Sequence, residues 1–134
     1  MIGNRAKYLM LEDTGSDVEI AFFDFKENGM EIDFHISVNG AEALDYLFTE
    51  DGSFRIEPPE VIFLDLHMPK TSGLEFLRII KSNAQSNNIP VVVLLSSASP
   101  SEIDECKRLG VKRFIQKPLE YENFISAIKD IDKY

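Results

Sequence analysis

Val61-Ile-Phe-Leu-Asp65-Leu-His-Met-Pro69 sets four apolar residues directly against an acid, with a proline four positions further on. A run this short with no polar interruption reads as a strand buried on both faces, because a strand with one wet face would alternate. Tyr8-Leu-Met-Leu-Glu12-Asp13 has the same form, and Val91 to Leu95 behind Pro90 gives a third such run. Val111 to Ile115 makes a fourth strand with polar interruptions, and Ile32 to Val38 alternates less cleanly, as an edge strand would.

Between these runs the apolar period becomes helical. The sets are Val18, Ala21, Phe22 and Phe25; Ala41, Leu44, Leu47 and Phe48; Leu74, Leu77 and Ile80; Ile103, Cys106 and Leu109; and Phe124, Ile125, Ile128 and Ile131. Ser16 precedes Glu19 by three, Ser99-Pro100-Ser101-Glu102 combines an N-cap with a first-turn proline and a capping-box glutamate, and Gly110 stands where a C-cap belongs. Strand and helix alternate five times, which predicts an α/β fold with a parallel sheet covered by helices on both faces. Thr49 to Pro59 and Ser82 to Asn88 carry no periodic pattern and are expected to be surface loops.

The 134 residues leave room for one domain, spanning 1–134. With 44% hydrophobic residues a real core is expected, and 14 Lys and Arg against 23 Asp and Glu give a formal net charge of −9. That charge disfavours nucleic acid and anionic lipid as partners and favours cations or basic surfaces. The longest apolar run is far shorter than the ~20 residues of a membrane span, and no secretory pattern opens the chain, so a cytoplasmic location is expected. Cys106 is the only cysteine and has no disulfide partner within the chain.

In an open parallel sheet the functional crevice lies beyond the carboxyl ends of the strands. Glu12, Asp13 and Asp65 all follow strands directly, so they converge if the first and third runs are neighbours. Two unit charges ~4 Å apart repel by roughly 4 kcal/mol at an effective dielectric of about 20. An uncompensated cluster must hold protons or recruit a cation, and Mg2+ suits carboxylate oxygens. Taken singly, each acid reads equally well as a helix cap or a solvated loop residue. A further strand ends in Lys117-Pro118, placing a cation at the same rim.

Taken together, Tyr8 to Asp13, Val61 to Pro69 with Gly73 following, and Phe114-Ile-Gln-Lys117-Pro118 resemble the signature segments of the receiver domain of bacterial two-component response regulators. The resemblance covers essentially the whole chain. The Asn39-Gly40-Ala-Glu-Ala-Leu-Asp-Tyr-Leu47 segment and the extended loop after it are also similar to single-domain receivers paired with phytochrome-like histidine kinases. This likeness implies a flavodoxin-like, doubly wound sheet of five strands in the order 2-1-3-4-5, and a signalling protein rather than an enzyme. It implies phosphoryl transfer from a kinase phosphohistidine to Asp65, with Lys117 contacting the phosphoryl oxygens. It also implies Mg2+ held by Asp13, Asp65 and the His67 backbone carbonyl, with Glu12 acting through metal-bound water. The partners implied are a sensor histidine kinase or phosphotransfer protein and a downstream protein target, with no DNA-binding or enzymatic output domain in the chain. A homodimer through the face formed by the fourth helix, fifth strand and fifth helix is a further expectation.

One position departs from the pattern. Receivers place Ser or Thr at the end of the fourth strand, thirty residues after the acceptor and twenty-two before the lysine, and here that position is Leu95. The nearest hydroxyls are Ser96 and Ser97, and Ser96 substitutes only if the strand end is bulged, since a one-residue slip reverses side-chain direction. Phe114 matches the family's aromatic switch position without a phenolic hydroxyl, and reads equally well as a half-buried strand aromatic. His67 reads as a loop histidine or a proton donor, and His35 as structural. Leu95 keeps a pseudo-receiver open, a constitutive protein-binding module on the same fold. A flavin carrier is suggested by Thr14-Gly15-Ser16, but Glu12 and Asp13 would repel its phosphate. An aspartyl-phosphate phosphatase would need a second acid where His67 stands.

Overall fold

The computed structural model describes residues 8–12, 23, 25–29, 34–66, 72–96, 99–117 and 119–131. Five strands, β1 (Tyr8–Leu11), β2 (Phe34–Ser37), β3 (Val61–Asp65), β4 (Val91–Leu95) and β5 (Arg113–Gln116), form one sheet in the order β2-β1-β3-β4-β5. All four pairings are parallel. Residues 25–27 are helical and belong to α1. The other helices are α2 (Gly40–Leu47), α3 (Gly73–Ser82), α4 (Pro100–Arg108) and α5 (Tyr121–Ile131). The fold class and strand order are those expected from the alternation and the resemblance.

The two faces of the sheet follow from its period of two. Leu9 and Leu11, Ile62 and Leu64, and Val91 and Val93 enter one core with Ala43 and Leu47 of α2, Phe76, Leu77 and Ile80 of α3, and Cys106 of α4. The alternate residues Tyr8, Met10, Val61, Phe63, Val92 and Leu94 enter a second core with Phe25, Phe124 and Ala127. Because β1 and β3 feed both cores, neither tolerates a polar residue before its end, and this is why they read as continuous apolar runs. Phe23 points outward, 67% exposed, while Phe25 is buried, as a helix with one apolar face requires.

Helix starts are capped as the sequence indicates. Ser99 Oγ accepts from Glu102 N, Glu102 Oε1 accepts from Ser99 N at 2.9 Å, and Pro100 occupies the first turn. At α3 and α2 the cap is one-sided, with Ser72 Oγ accepting from Glu75 N and Asn39 Oδ1 from Glu42 N. The cap expected at Ser16 lies outside the described residues.

Two boundaries differ from expectation. β5 begins at Arg113, not Val111, because Val111 N donates to Cys106 O and Gly110 N to Lys107 O. Those two bonds form a Schellman ending for α4, with Gly110 at φ +94°, so the buried Val111 closes a helix before the strand starts. The Thr49 to Pro59 segment is also more ordered than a plain loop. Phe48 and Phe54 form an antiparallel bridge with their rings stacked 5.0 Å apart, and Arg55 Nε and Nη2 donate to Asp45 O and Phe48 O. Phe48 therefore lies past the end of α2 and covers it.

Candidate functional site

The register pairs Leu11 with Leu64 across β1 and β3, so the next residue of each strand, Glu12 and Asp65, stands at the same edge of the sheet. Each is two residues beyond a side chain of the same core, Met10 and Phe63, which puts both carboxylates on one side of the sheet. Both are buried, Glu12 to 3% exposure and Asp65 to 4%. Glu12 is fixed from behind, its N–H donating to Ser37 O at 3.0 Å.

Lys117 follows β5, and its side chain reaches past β4 to this pair. Its Nζ lies 2.7 Å from Glu12 Oε2 and 3.0 Å from Asp65 Oδ2, while its backbone N–H donates to Leu95 O at 2.8 Å. Burial alone would lower the Lys117 pKa, but the hydrogen bonds to Glu12 and Asp65, reinforced by their charges, outweigh it and raise the value above the ordinary lysine range. The lysine is therefore a fixed cation at any physiological pH. Among the described residues one ammonium stands against two buried carboxylates, and the donors are carboxylate oxygens. That combination suits a hard divalent cation. Among the described residues no three acid, histidine or cysteine side chains gather to hold a metal, and Asp13 and His67 lie outside those residues.

The turn after Asp65 is held by Gly73. A Cβ at that position would stand 2.3 Å from Asp65 O and 2.5 Å from Leu66 Cα, both backbone atoms, and Gly73 N donates to Leu66 O at 3.1 Å. The first residue of α3 thus packs against the peptide of Asp65 itself, a closeness only glycine permits.

Leu95 ends β4 in regular register, with Leu94 opposite Asp65 and Leu95 opposite Gln116. No bulge interrupts the ladder, so the bulge that would carry Ser96 into the place of Leu95 is not in this strand. Leu95 and Phe114 are both half-buried against the core that contains Cys106 of α4, whereas Ser96 is exposed. His35 is stacked flat on Tyr46 at 3.6 Å, and burial lowers its pKa despite the opposing charge of Glu42, consistent with a structural role. The direct contact between Glu12 and Lys117 was not foreseen from the sequence. Its only prior signal was that a buried acid and a lysine both sat at strand ends.

The chain matches the response regulator receiver domain family over residues 13–129. It is 31% identical over 126 residues to the probable methanogenesis regulatory protein FilR2 of Methanothrix harundinacea (strain 6Ac), covering 94% of this chain and 81% of that protein. Among solved structures it is similar to the bacteriophytochrome response regulator RtBRR, with 36% identity and a TM-score of 0.78 over 98% of this chain and 78% of the other. The Mn2+-bound form of response regulator Rcp1 shares 25% identity and a TM-score of 0.71 over 95% and 91% of the two chains.

Proposed function

The chain belongs to the response regulator receiver family of two-component signalling, and from that premise we propose that it accepts a phosphoryl group on Asp65 from a kinase phosphohistidine. In this step the P–N bond to the histidine breaks, a P–O bond to Asp65 Oδ forms, and the histidine nitrogen retains the bonding pair. The observation that carries the reading is the Lys117 ammonium fixed at 3.0 Å from Asp65 Oδ2. Such a transfer depends chiefly on positioning and on neutralising charge at the phosphoryl oxygens. Lys117 supplies a fixed cation, Glu12 holds that cation in place, and the Gly73 contact fixes the backbone from which Asp65 projects.

Response regulator receivers work with histidine kinases and are not classical enzymes, and a divalent metal is present in the Rcp1 structure. For this chain we assign Mg2+ as the metal, held by Asp13, Asp65 and the His67 carbonyl with Glu12 bonded through water; when bound it would offset charge on the phosphoryl oxygens. Residues 1–134 then act as one receiver domain in the cytoplasm, signalling through protein contacts on the α4, β5 and α5 face, where a second copy or a downstream target would bind. No helix among the described residues is long and apolar enough to cross a membrane.

Transfer of labelled phosphate from an autophosphorylated histidine kinase tests this. The label should appear on the chain only with Mg2+ and be released by hydroxylamine, which cleaves an acyl phosphate and leaves a serine ester intact. Hydroxylamine-resistant label would move the acceptor to a hydroxyl residue. One observation favours a second reading: Leu95 and Phe114 put carbon where a hydroxyl pair would report the phosphate, which suits a pseudo-receiver whose binding surface is constitutive. Target binding that is indifferent to Asp65→Asn and to phosphodonor would select it.

A further inference from the structure

Among α2 to α5, α4 is the helix least held by burial. Cys106 is its one buried residue, whereas α3 buries Gly73, Phe76, Leu77 and Ile80. A polar contact ties the two helices: Arg78 Nε of α3 donates to Glu105 Oε1 of α4 at 2.7 Å. The first residue of α3 is in turn seated on the peptide of Asp65, where Gly73 leaves no room for a Cβ. The ion pair therefore joins α4 to the helix that rests on the Asp65 turn.

Both charges have a second choice. Glu75 stands three residues before Arg78 on α3, and Arg108 three residues after Glu105 on α4, the spacing at which side chains on a helix are neighbours. The pKa of Arg78 is raised first by its bond to Glu105, against a slight desolvation, and then by the charges of Glu105 and Glu75. That of Glu105 is lowered first by the same bond, again against desolvation, and then by the charges of Arg78 and Arg108. One pair across the helices can thus be exchanged for two pairs within them, so parting α4 from α3 leaves neither charge unpaired. The side chains of Arg78 and Glu105 are 49% and 27% exposed, so the exchange takes place in contact with water.

We propose that these four charges form a two-position latch on α4, closed with Arg78 on Glu105 and open with Arg78 on Glu75 and Glu105 on Arg108. On the reading of Asp65 as the phosphoacceptor, phosphorylation biases the latch toward its open position. Gly73 packs against the Asp65 peptide without slack, so a turn that adjusts to a phosphoryl group carries α3 with it and draws Arg78 away from Glu105. A modification moves an equilibrium only by what it does differently in the two positions, and the difference here is where α3 places Arg78. This route from Asp65 to α4 needs no hydroxyl at Leu95.

The test reads the amide chemical shifts of Ser101 and Val111, which flank the charges of α4, in the whole unphosphorylated chain. Arg78→Gln and Glu105→Gln each remove the closed pair and should move both amides in one common direction, the ratio of open to closed rising by up to about fivefold, the limit for an exposed ion pair. The exchange of Arg78→Glu with Glu105→Arg keeps the attraction across the helices but makes both intrahelical choices like-charge pairs, so it should move the same amides the opposite way. Single variants that leave both amides in place, or an exchange variant that moves them as the single variants do, would overturn the latch. With Mg2+ and a small phosphodonor, wild type should move in the direction of the single variants, and the exchange variant a shorter way at equal phosphorylation by intact mass. An equal response of the two would overturn the regulatory step. A wild-type chain that gains no phosphoryl mass would instead overturn Asp65 as the acceptor, and the unphosphorylated variants would still decide the latch.

Discussion

The Lys117 ammonium sits closer to Glu12, at 2.7 Å, than to Asp65, at 3.0 Å, so the lysine is anchored by one acid and shared with the other. Glu12 is itself held by the end of β2 through its N–H bond to Ser37 O. The cation beside Asp65 is thus positioned by β1, β2 and β5 together.

Lys117→Met should destabilise the protein strongly, because it leaves two buried carboxylates without their cation. Removing one partner of a buried ionic cluster costs about 3–5 kcal/mol. Part of that loss should return on adding Mg2+, which on the proposed assignment would supply positive charge beside Asp65. Urea melts with and without Mg2+ measure both effects; an unchanged midpoint in the absence of metal would show that the pair is not strained by loss of the lysine.

Gly73→Ala should fail for steric reasons. The new Cβ meets backbone atoms of Asp65 and Leu66, which cannot swing away as a side chain end would. Overpacking of this kind costs about 1–3 kcal/mol, and relief requires moving the Asp65 peptide, so phosphorylation should slow as well. Stability and phosphorylation rate, measured on the same sample, should fall together.

The carbon at position 95 should weaken the link between phosphate and surface. Leu95→Thr supplies a hydroxyl able to make a hydrogen bond worth about 1.5–3 kcal/mol to a charged acceptor, so it should enlarge phosphorylation-dependent shifts at Phe114 and along α4. Ser96→Ala should change them little. A response lost in Ser96→Ala would make Ser96 the reporter despite its exposure.

Cys106 gives a prediction in pH. Burial first, then the charges of Glu105 and Glu102, push its thiol up from 9.0 to about 11. The native state holds the proton more tightly than the unfolded chain, so this contribution to stability is complete below about pH 9 and is lost as pH rises through 11. Native protein should resist a thiol reagent at pH 8, with labelling that tracks unfolding; rapid labelling would mean that α4 opens readily.

The parts of the fold visible in sequence are those with a single physical cause. β1, β3 and β4 are buried on both faces, so they read as continuous apolar runs, and an acid then marked the end of β1 and of β3. β5 was placed two residues early because Val111 is as buried as a strand residue while serving to close α4. Glu12 and Asp65 were legible as neighbours once the strand order was granted. The grip of Glu12 on Lys117 was not, because it depends on how far a lysine reaches across β4. Asp13 and His67, expected at the metal, lie outside the described residues.

The most direct measurement is the intact mass of the wild-type chain and of Asp65→Asn after incubation with Mg2+ and a small phosphodonor. The account predicts that wild type gains the mass of one phosphoryl group, that the gain disappears when Mg2+ is chelated, and that Asp65→Asn, still folded, gains nothing. An equal gain in Asp65→Asn, or none in wild type under conditions that modify a control receiver, would contradict the assignment of Asp65 as the phosphoacceptor.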